Sequence, residues 1–481
     1  MENVQQLHTI EEKSKFFLLK KRWQIAIMAC LGFIVAFGIR CNFGAAKGRM
    51  INNFTDPFGQ NFSQQFFWTT TELGILESAF FYGYAITQIP GGMLAAKFAP
   101  NRLFGFSILI TAILNIFLAL ALTAHPQMDY IVITIQVCQG LSLGISYPAM
   151  HGVWRYWAPP MERSKLATTT FTGGYIGVMV GLPLSAYLVS YIDWFAPFYF
   201  FGIIGIIWAV LWFFISAPTP ATCRHIKEDE RKYIIEHVGK VSSSPLTTIP
   251  WKSVIFSPAV WAIVICTFCR SWTFFLLLGN QLTYMADVLH LKIQNGGIIS
   301  SLPHLLMSLV VLFAGQLADY LRSTGKLSTI AVRKVFNTLG FAGEAVFLCC
   351  LAFVNNPTLA ISILVLAAGF SGFAITGFNV NHFDIAPRYA PILMGLSNGI
   401  GALAGISGFG TDAGWRSAFL IATVVDILAV ITFLVFGRGE LQEWAKEVER
   451  EQSMQEVVRK LCKLFYDITS KTSIITKDPT V

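Results

Sequence analysis

Residues 23–46 read WQIAIMACLGFIVAFGIRCNFGAA, an apolar run that a single charged side chain, Arg40, interrupts. A helix needs about 20 apolar residues to cross a bilayer, so the run is long enough to span one. Lys20, Lys21 and Arg22 precede it, and basic residues flank membrane helices on the cytosolic side. The stretch therefore predicts a membrane-spanning helix that carries an arginine at depth.

Similar runs fill most of the chain. Of its 481 residues 54% are hydrophobic and only 13% are charged, about half the charged fraction of a soluble domain. These runs predict an all-α membrane protein with twelve transmembrane helices, at about 23–46, 73–97, 102–124, 129–152, 166–191, 196–216, 258–285, 295–318, 328–354, 358–381, 389–409 and 415–436.

The loops between these predicted spans indicate the orientation. Lys and Arg recur before span 1 and between spans 2 and 3, 4 and 5, 6 and 7, and 8 and 9, so these loops and both termini are predicted to be cytosolic. The first loop on the other side carries two N-glycosylation sequons, at Asn53 and Asn61. The net charge of +8 reflects this loop bias and does not indicate nucleic-acid binding.

Two features repeat between the halves of the chain. Gly91 lies near the end of span 2 and Gly315 in span 8, whereas Gly177 lies in span 5 and Gly401 in span 11. The same number of residues separates the two glycines of each pair. A parallel repeat of six plus six helices explains both spacings. The predicted units are a cytosolic tail (1–22), a six-helix bundle (23–216), a cytosolic linker (217–257), a second six-helix bundle (258–437) and a cytosolic tail (438–481). In the linker we expect a short helix, Lys227 to Val238, with Ile234 and Ile235 on one face.

Two arginines lie deep inside predicted spans and away from their ends, Arg40 in span 1 and Arg270 in span 7. A charge at bilayer depth costs about 2.5–3.5 kcal/mol on insertion scales, so such residues normally face a protein interior or a wet path. An arginine stays charged at any working pH and can grip a carboxylate or phosphate with two hydrogen bonds. The pair predicts an anion site; the alternative is that either arginine reaches the interface or has a structural partner.

Other polar residues at membrane depth are candidates for supporting roles, and each can instead serve helix packing. A carboxyl group removed from water holds its proton more readily, which suits proton carriage. Asp319 and Asp384 each lie near an arginine at a predicted cytosolic helix end, as expected of a gate. The candidates are Tyr84, Tyr175 and Asn379 for the substrate, Glu77, Glu344 and His151 for protons, and Asp319, Arg322, Asp384 and Arg388 for gating.

No cofactor or metal site is predicted. Cys266 and Cys269 have metal-site spacing, but they stand on an apolar helix without a second pair. The motifs of metalloproteases, serine hydrolases and phosphate-binding loops do not occur in the sequence, so an enzyme is not expected. The ions that remain open as coupling or regulatory partners are H⁺, Cl⁻ and Na⁺.

Several longer stretches carry a family resemblance over residues 25–445. They are FGIRCN (37–42), TQIPGG (87–92), WAPP (157–160) with ERS (162–164), FCRSWTF (268–274), and GFA (372–374) through NVNH (379–382) to APRYA (386–390). With them the chain resembles the major facilitator superfamily and, within it, the vesicular glutamate transporters of the anion transporter family, which includes sialin and the sodium-phosphate cotransporters. The resemblance implies two six-helix bundles, a monomeric transport unit, and substrate-site roles for Arg40 and Arg270.

The chain departs from that family pattern at three places. Gln136 and Leu143 replace a span 4 arginine and glutamate that the resemblance implies are important for transport and coupling, and Glu77 replaces a span 2 histidine. The segment from Gly410 to Gly414, between spans 11 and 12, is several residues shorter than the pattern. These differences bear on the coupling ion and on the charge of the substrate.

The expected function is transport of an organic anion by alternating access. The favoured version is uptake of L-glutamate into synaptic or other intracellular vesicles, driven by the membrane potential. Two alternatives stay open: a sodium- or proton-coupled carrier of phosphate or another organic anion at a plasma or lysosomal membrane, and a pseudo-carrier that does not transport.

Overall fold

The computed structural model describes residues 20–124, 129–238, 249–287, 293–354, 356–407 and 414–446. The first half of the chain contains α1 (Lys21–Met50), α2 (Thr70–Lys97), α3 (Pro100–Ala124), α4 (Asp129–Leu143), α5 (Ser146–Trp157), α6 (Arg163–Tyr191) and α7 (Ala196–Ile215). The linker contains α8 (Glu228–Val238) and α9 (Trp251–Ile255). The second half contains α10 (Pro258–Asp287), α11 (Ile293–Ser323), α12 (Thr329–Leu351), α13 (Pro357–Ala374), α14 (Val380–Ile385), α15 (Ala390–Ser407) and α16 (Trp415–Phe436).

Each of the twelve predicted spans coincides with a helix or with two consecutive helices. Within the described residues, ten spans are long and apolar enough to cross a membrane, counting α4 with α5 and α13 with α14 as one span each. The other two predicted spans are α2 and α15, which pack against each other along their length. The chain is a multi-pass, all-α membrane protein, as the sequence predicted.

The two halves have equivalent packing. In the first half α1 packs on α6, α2 on α4, and α3 on α7; in the second, α10 packs on α15, α11 on α13, and α12 on α16. The glycines of the predicted repeat lie in two of these contacts. A Cβ on Gly177 would lie 2.8 Å from the Ile34 carbonyl oxygen, and one on Gly401 would lie 2.8 Å from Ser271 Oγ. Only a glycine allows the helices to approach this closely.

The most extensive contacts between the halves are those of α2 with α15 and of α6 with α11, and α5 also packs on α15. The first two pairs include close approaches at a glycine on the side predicted to be cytosolic. A Cβ on Gly92 would lie 2.5 Å from the Pro391 carbonyl oxygen, and one on Gly315 would lie 2.1 Å from Thr168 Oγ1. The halves are therefore in direct contact on this side.

The linker helix is attached to the first half by a buried ion-pair network. Arg22 lies 2.7 Å from Glu162 and 3.1 Å from Glu230 of α8, and it is 2% exposed. The short helix expected at Lys227 to Val238 is present as Glu228–Val238, but the two isoleucines expected on one face differ in burial. Ile234 is fully buried whereas Ile235 is 43% exposed, because consecutive residues point about 100° apart around a helix.

A short β-hairpin is the exception to the helical fold within the described residues. Phe54–Thr55 pairs antiparallel with Asn61–Phe62 in the first loop opposite the predicted cytosolic side. Their two phenylalanine rings lie 5.0 and 4.5 Å from the Arg49 guanidinium, which also approaches Asp193 at 3.4 Å. The hairpin is thus fixed to the end of α1 by cation–π contacts.

Candidate functional site

Arg40 projects from α1 into an aromatic cage at the contact between the halves. Its guanidinium carbon lies 4.8–5.9 Å from the centres of five rings, those of Phe37, Phe80, Phe81, Tyr84 and Phe275. Four of these rings belong to the first half, and Phe275 belongs to α10 of the second. The faces of aromatic rings attract a cation without neutralising it. Arg40, which is half-buried, therefore keeps its positive charge at the contact between the halves.

Arg270 projects from α10 and is 6% exposed. Its guanidinium carbon lies 5.3 Å from the ring centre of Phe274 and 5.9 Å from that of Tyr175, which belongs to α6 of the first half. Its Nη2 donates to Met307 Sδ at 3.3 Å, a weak acceptor. Among the described residues no buried carboxylate forms an ion pair with Arg270 or Arg40.

The two arginines are connected by a short set of aromatic side chains. The Arg40 neighbour Phe275 is adjacent in sequence to the Arg270 neighbour Phe274, and their ring centres are 5.6 Å apart. The ring centre of Tyr147 lies 6.5 Å from that of Phe37, another neighbour of Arg40. Each arginine also touches an aromatic ring from the opposite half. The structure thus brings the two predicted anion ligands to one region between the bundles.

Two of the predicted substrate residues are part of this region, and the third lies elsewhere. The Tyr84 ring contacts Arg40, and its hydroxyl accepts a hydrogen bond from Asn398 Nδ2 of α15 at 2.8 Å. The Tyr175 ring contacts Arg270. Asn379 lies in a π-helical turn, Ile375–Asn379, and its carbonyl oxygen is 2.7 Å from His382 Nδ1. π-turns inside helices often occur at functional sites, but no described contact joins Asn379 to either arginine.

A small cavity lies beside Arg270 in the second half. Arg270 and Glu344 provide its charged groups, and His304 and Ser371 provide further polar ones. The rest of the wall is apolar: Phe274, Pro303, Met307, Leu364 and Ala368. A mostly apolar cavity with a few convergent polar groups is typical of a small-molecule site.

The predicted gating residues lie where the halves meet on the predicted cytosolic side. The carboxylate of Asp319, on α11, accepts a hydrogen bond of 2.8 Å from the backbone N–H of Lys165 at the start of α6. Asp319 is 1% exposed and lies 3.6 Å from Arg322 of its own helix. A carboxylate at a helix N-terminus is favoured by the unpaired N–H groups and by the helix dipole. This contact joins the two halves.

A second contact in the same place involves a residue that the sequence did not single out. Arg333 of α12 is fully buried and lies 2.7 Å from Asp384. It also donates to Ser164 Oγ, in the first half, at 3.3 Å and to the Thr376 carbonyl oxygen at 3.0 Å. In the sequence Arg333 is one of several basic residues around the predicted loop between spans 8 and 9, so its burial could not be predicted. Arg388, in the turn Pro387–Tyr389 that follows Asp384, is also buried, at 7% exposure.

The proton candidates are in three different settings. His151 is fully buried between the Phe171 and Phe383 rings, at 5.1 and 5.0 Å, and its ring centre is 5.5 Å from that of His382 in the other half. Glu344 lines the cavity beside Arg270. Glu77 lies in α2, and its side chain is outside the described residues. The proton roles of all three stay predictions.

Both sequon asparagines are exposed near the hairpin. Asn53 Oδ1 accepts from the Gln64 N–H at 2.9 Å, and Asn61 Oδ1 accepts from the Thr55 hydroxyl at 2.6 Å. Thr55 is the hydroxyl residue of the Asn53 sequon, so the two sequons are hydrogen-bonded to each other. Glycosylation at either position stays a prediction.

Comparison with known proteins agrees with this architecture. The model of the Major Facilitator Superfamily matches residues 28–409. A bacterial homologue of the human lysosomal transporter Spinster, solved in an inward-facing and unoccupied conformation, aligns over 88% of this chain and 96% of its own, with a TM-score of 0.54 and 14% identity. At that identity the match shows the fold alone, and the predicted fold class is confirmed.

Two relatives narrow the family further. The potential vesicular glutamate transporter vglu-3 of Caenorhabditis elegans is 55% identical over 480 residues, covering 98% of this chain and 88% of the relative. Vesicular glutamate transporter 1 of Bos taurus is 45% identical over 452 residues, covering 91% of this chain and 80% of the relative. The resemblance stated from sequence is confirmed: the chain belongs to the Major Facilitator Superfamily and, within it, to the family of the vesicular glutamate transporters.

Proposed function

We propose that this protein takes up L-glutamate into intracellular vesicles as a secondary transporter driven by the membrane potential. The names of its relatives support the substrate and the vesicle. The observation that carries the proposal is the placement of Arg40 and Arg270, one from each half, turned into one protein interior without a carboxylate partner among the described residues. Such a pair leaves two positive charges for an anion.

Glutamate has two carboxylates, and the site has two guanidinium groups. Each guanidinium can donate two parallel hydrogen bonds to a carboxylate, and the surrounding aromatic rings exclude water that would weaken the attraction. The ligand thereby gives the buried Arg270 and the half-buried Arg40 the anionic partner that the described part of the protein does not provide. A substrate bound to Arg40 and Arg270 would also bridge the two bundles, because the arginines belong to different halves.

The driving force follows from the net charge of the substrate. A lumen-positive potential contributes about 2.3 kcal/mol per elementary charge per 100 mV to uptake of an anion. No co-transported ion is needed for that gain. Gln136 and Leu143, which stand where the family pattern has an arginine and a glutamate, are buried at 6% and 2% exposure and carry no charge. We therefore favour the electrical gradient over proton coupling.

Alternating access requires that the contacts between the halves open on one side at a time. In the conformation described here, the Asp319–Lys165 and Arg333–Ser164 hydrogen bonds close the side predicted to be cytosolic. We propose that these bonds are the cytosolic gate, with Asp384 holding Arg333 in place and Arg322 and Arg388 beside them. Opening of this gate would admit glutamate from the cytosol to Arg270 and Arg40.

The test is flux in proteoliposomes of the purified full-length chain. An inside-positive potential is imposed, and labelled L-glutamate and labelled phosphate are followed with and without chloride and with and without a sodium gradient. We expect potential-dependent glutamate uptake that Arg40→Gln and Arg270→Gln each reduce by about a hundredfold or more, because a buried charged partner is lost. Arg416→Gln is the matched control, since Arg416 is exposed and stacks on Phe353 at 4.5 Å, away from the site.

Other outcomes would replace this proposal. Sodium-dependent phosphate uptake without glutamate uptake would make the protein a cation-coupled phosphate carrier. Flux that follows an imposed pH gradient at zero potential would assign coupling to protons, with Glu77, Glu344 and His151 as the residues to test. Absence of any flux from a monodisperse preparation would indicate a pseudo-carrier.

The same proposal includes the cellular setting. We place both termini in the cytosol because Lys and Arg are concentrated in the loops on their side. The transport unit is a monomer in the bilayer, since both halves of the site come from one chain. Synaptic vesicles are the favoured compartment, and immunogold labelling of an epitope at either terminus would test both location and orientation.

A further inference from the structure

The cavity beside Arg270 contains two opposite charges that do not neutralise each other. Arg270 and Glu344 both line it, and the ion pairs among the described residues include no pair between them. The cavity is small in this conformation, so a ligand that reaches both side chains requires its walls to move apart.

The carboxyl group of Glu344 is buried and incompletely hydrogen-bonded. It projects from α12, is 1% exposed, and has no hydrogen-bond partner for Oε2 within the described residues. Ser371 of α13 lies beside it and also lines the cavity. A carboxyl group buried without a partner is costly to ionise, so a ligand that brings a positive charge to Glu344 would stabilise its ionised form.

The charges of the whole site match those of an amino dicarboxylate. Arg40 and Arg270 provide two positive charges and Glu344 one negative charge, while glutamate brings two carboxylates and one ammonium. Every charge then has an opposite partner. Arg40 and Asp426 both lie outside the cavity wall. Arg40 would meet the second carboxylate there, whereas Asp426 does not enter this match because its carboxyl accepts a hydrogen bond from Thr273 Oγ1 at 3.3 Å.

We propose that Glu344 binds the ammonium group of the amino-acid substrate while Arg270 binds the carboxylate attached to the same carbon. The inference rests on the proposed function and adds the feature that makes the carrier select an amino acid over a plain dicarboxylate. The ammonium and α-carboxylate of an amino acid lie on one carbon atom, which suits two side chains that face one small cavity. The second carboxylate is then available to Arg40.

His304 is a further polar residue in the cavity wall. It is 5% exposed, and neither ring nitrogen has a hydrogen-bond partner within the described residues. Its ring centre is 6.1 Å from that of Phe274. A neutral imidazole here can accept from the same ammonium or donate to the carboxylate on Arg270, so it supports the same orientation of the ligand.

The test compares L-glutamate with glutarate, which has both carboxylates and no ammonium, in potential-driven uptake by the full-length chain. Wild-type protein should prefer glutamate. Glu344→Gln should reduce glutamate uptake about tenfold or more, because the ammonium loses its charged partner, while glutarate uptake stays within about twofold or rises. Asp426→Asn is the control: it removes a buried carboxyl near Arg270 but outside the cavity wall, and it should leave the ratio of the two substrates unchanged.

Several results would overturn the inference while leaving anion transport intact. These are equal transport of glutamate and glutarate by the wild type, a parallel loss of both in a monodisperse Glu344→Gln variant, or an unchanged ratio in that variant. If Glu344→Gln cannot be purified, Glu344→Asp should keep the preference for glutamate, and its loss there would count equally against the role. Wild-type protein that carries neither substrate would overturn the proposed function itself, and this inference with it.

Discussion

Replacing Asp319 should open the side of the transporter predicted to be cytosolic. Its carboxylate accepts the Lys165 N–H at 2.8 Å and is 1% exposed, so the hydrogen bond is made only when the two halves are in contact. Asp319→Ala removes this bond and leaves the start of α6 without its acceptor. The ratio of open to closed molecules should therefore increase.

The size of the shift follows from the type of bond. A hydrogen bond to a charged group contributes about 1.5–3 kcal/mol, which corresponds to about a 10- to 150-fold change in the open-to-closed ratio. The cost of burying the carboxylate in the closed state offsets part of the stabilisation from this hydrogen bond. We therefore expect a change near the lower end of the 10- to 150-fold range. Asp319→Asn keeps an acceptor oxygen without the charge, and its effect should be about half as large.

The assay measures the distance between two spin labels by electron paramagnetic resonance. The labels are attached to cysteines introduced as Met161→Cys and Ser323→Cys, two exposed positions on this side that belong to different halves. Cys350 and Cys462 are replaced by serine first. Asp319→Ala should move population to longer distances, whereas Arg322→Gln should change it little, because its 3.6 Å ion pair stays within α11. An unchanged distribution in Asp319→Ala, or equal opening in Arg322→Gln, would refute the reasoning.

Three further predictions concern other contacts. Gly92→Ala should reduce glutamate uptake at least tenfold, because the new Cβ would lie 2.5 Å from the Pro391 carbonyl oxygen. Gly48→Ala is the control and should transport normally, because a Cβ on Gly48 would have no atom within 4 Å. Equal uptake by the two variants would contradict this prediction. Arg333→Gln should lower the free energy of unfolding by about 3–5 kcal/mol, because Asp384 stays buried without its partner, and a melting temperature in detergent equal to that of wild type would count against it. Asn53→Gln with Asn61→Gln should abolish a glycosidase-sensitive mobility shift in cell-expressed protein, and a shift that persists would place the glycan elsewhere.

The parts of the site that the sequence predicted are those marked by a charge in an apolar run. Arg40 and Arg270 stand out because a guanidinium at bilayer depth is costly without a partner or a function. The same reasoning located Asp319 at a helix end. The glycine spacings likewise indicated the repeat, because close helix approach requires small residues at fixed positions.

What the sequence did not predict is which distant residues meet. Arg333 looked like a loop cation, since it follows Arg322 and Lys326 closely, but it is buried against Asp384 of another helix. Phe275 and Tyr175 each reach an arginine from the opposite half, a contact that depends on the relative position of the two bundles. Nothing in the periodicity of α12 indicated that Glu344 shares a cavity with Arg270.

The central claim is that Arg40 and Arg270 hold one anion between the two halves. Its most direct test is equilibrium binding of labelled L-glutamate to the purified protein, for wild type, Arg40→Gln, Arg270→Gln and the exposed control Arg416→Gln. We expect saturable binding in wild type and Arg416→Gln, and its loss in each of the other two variants. Wild-type affinity in either Arg40→Gln or Arg270→Gln would contradict it.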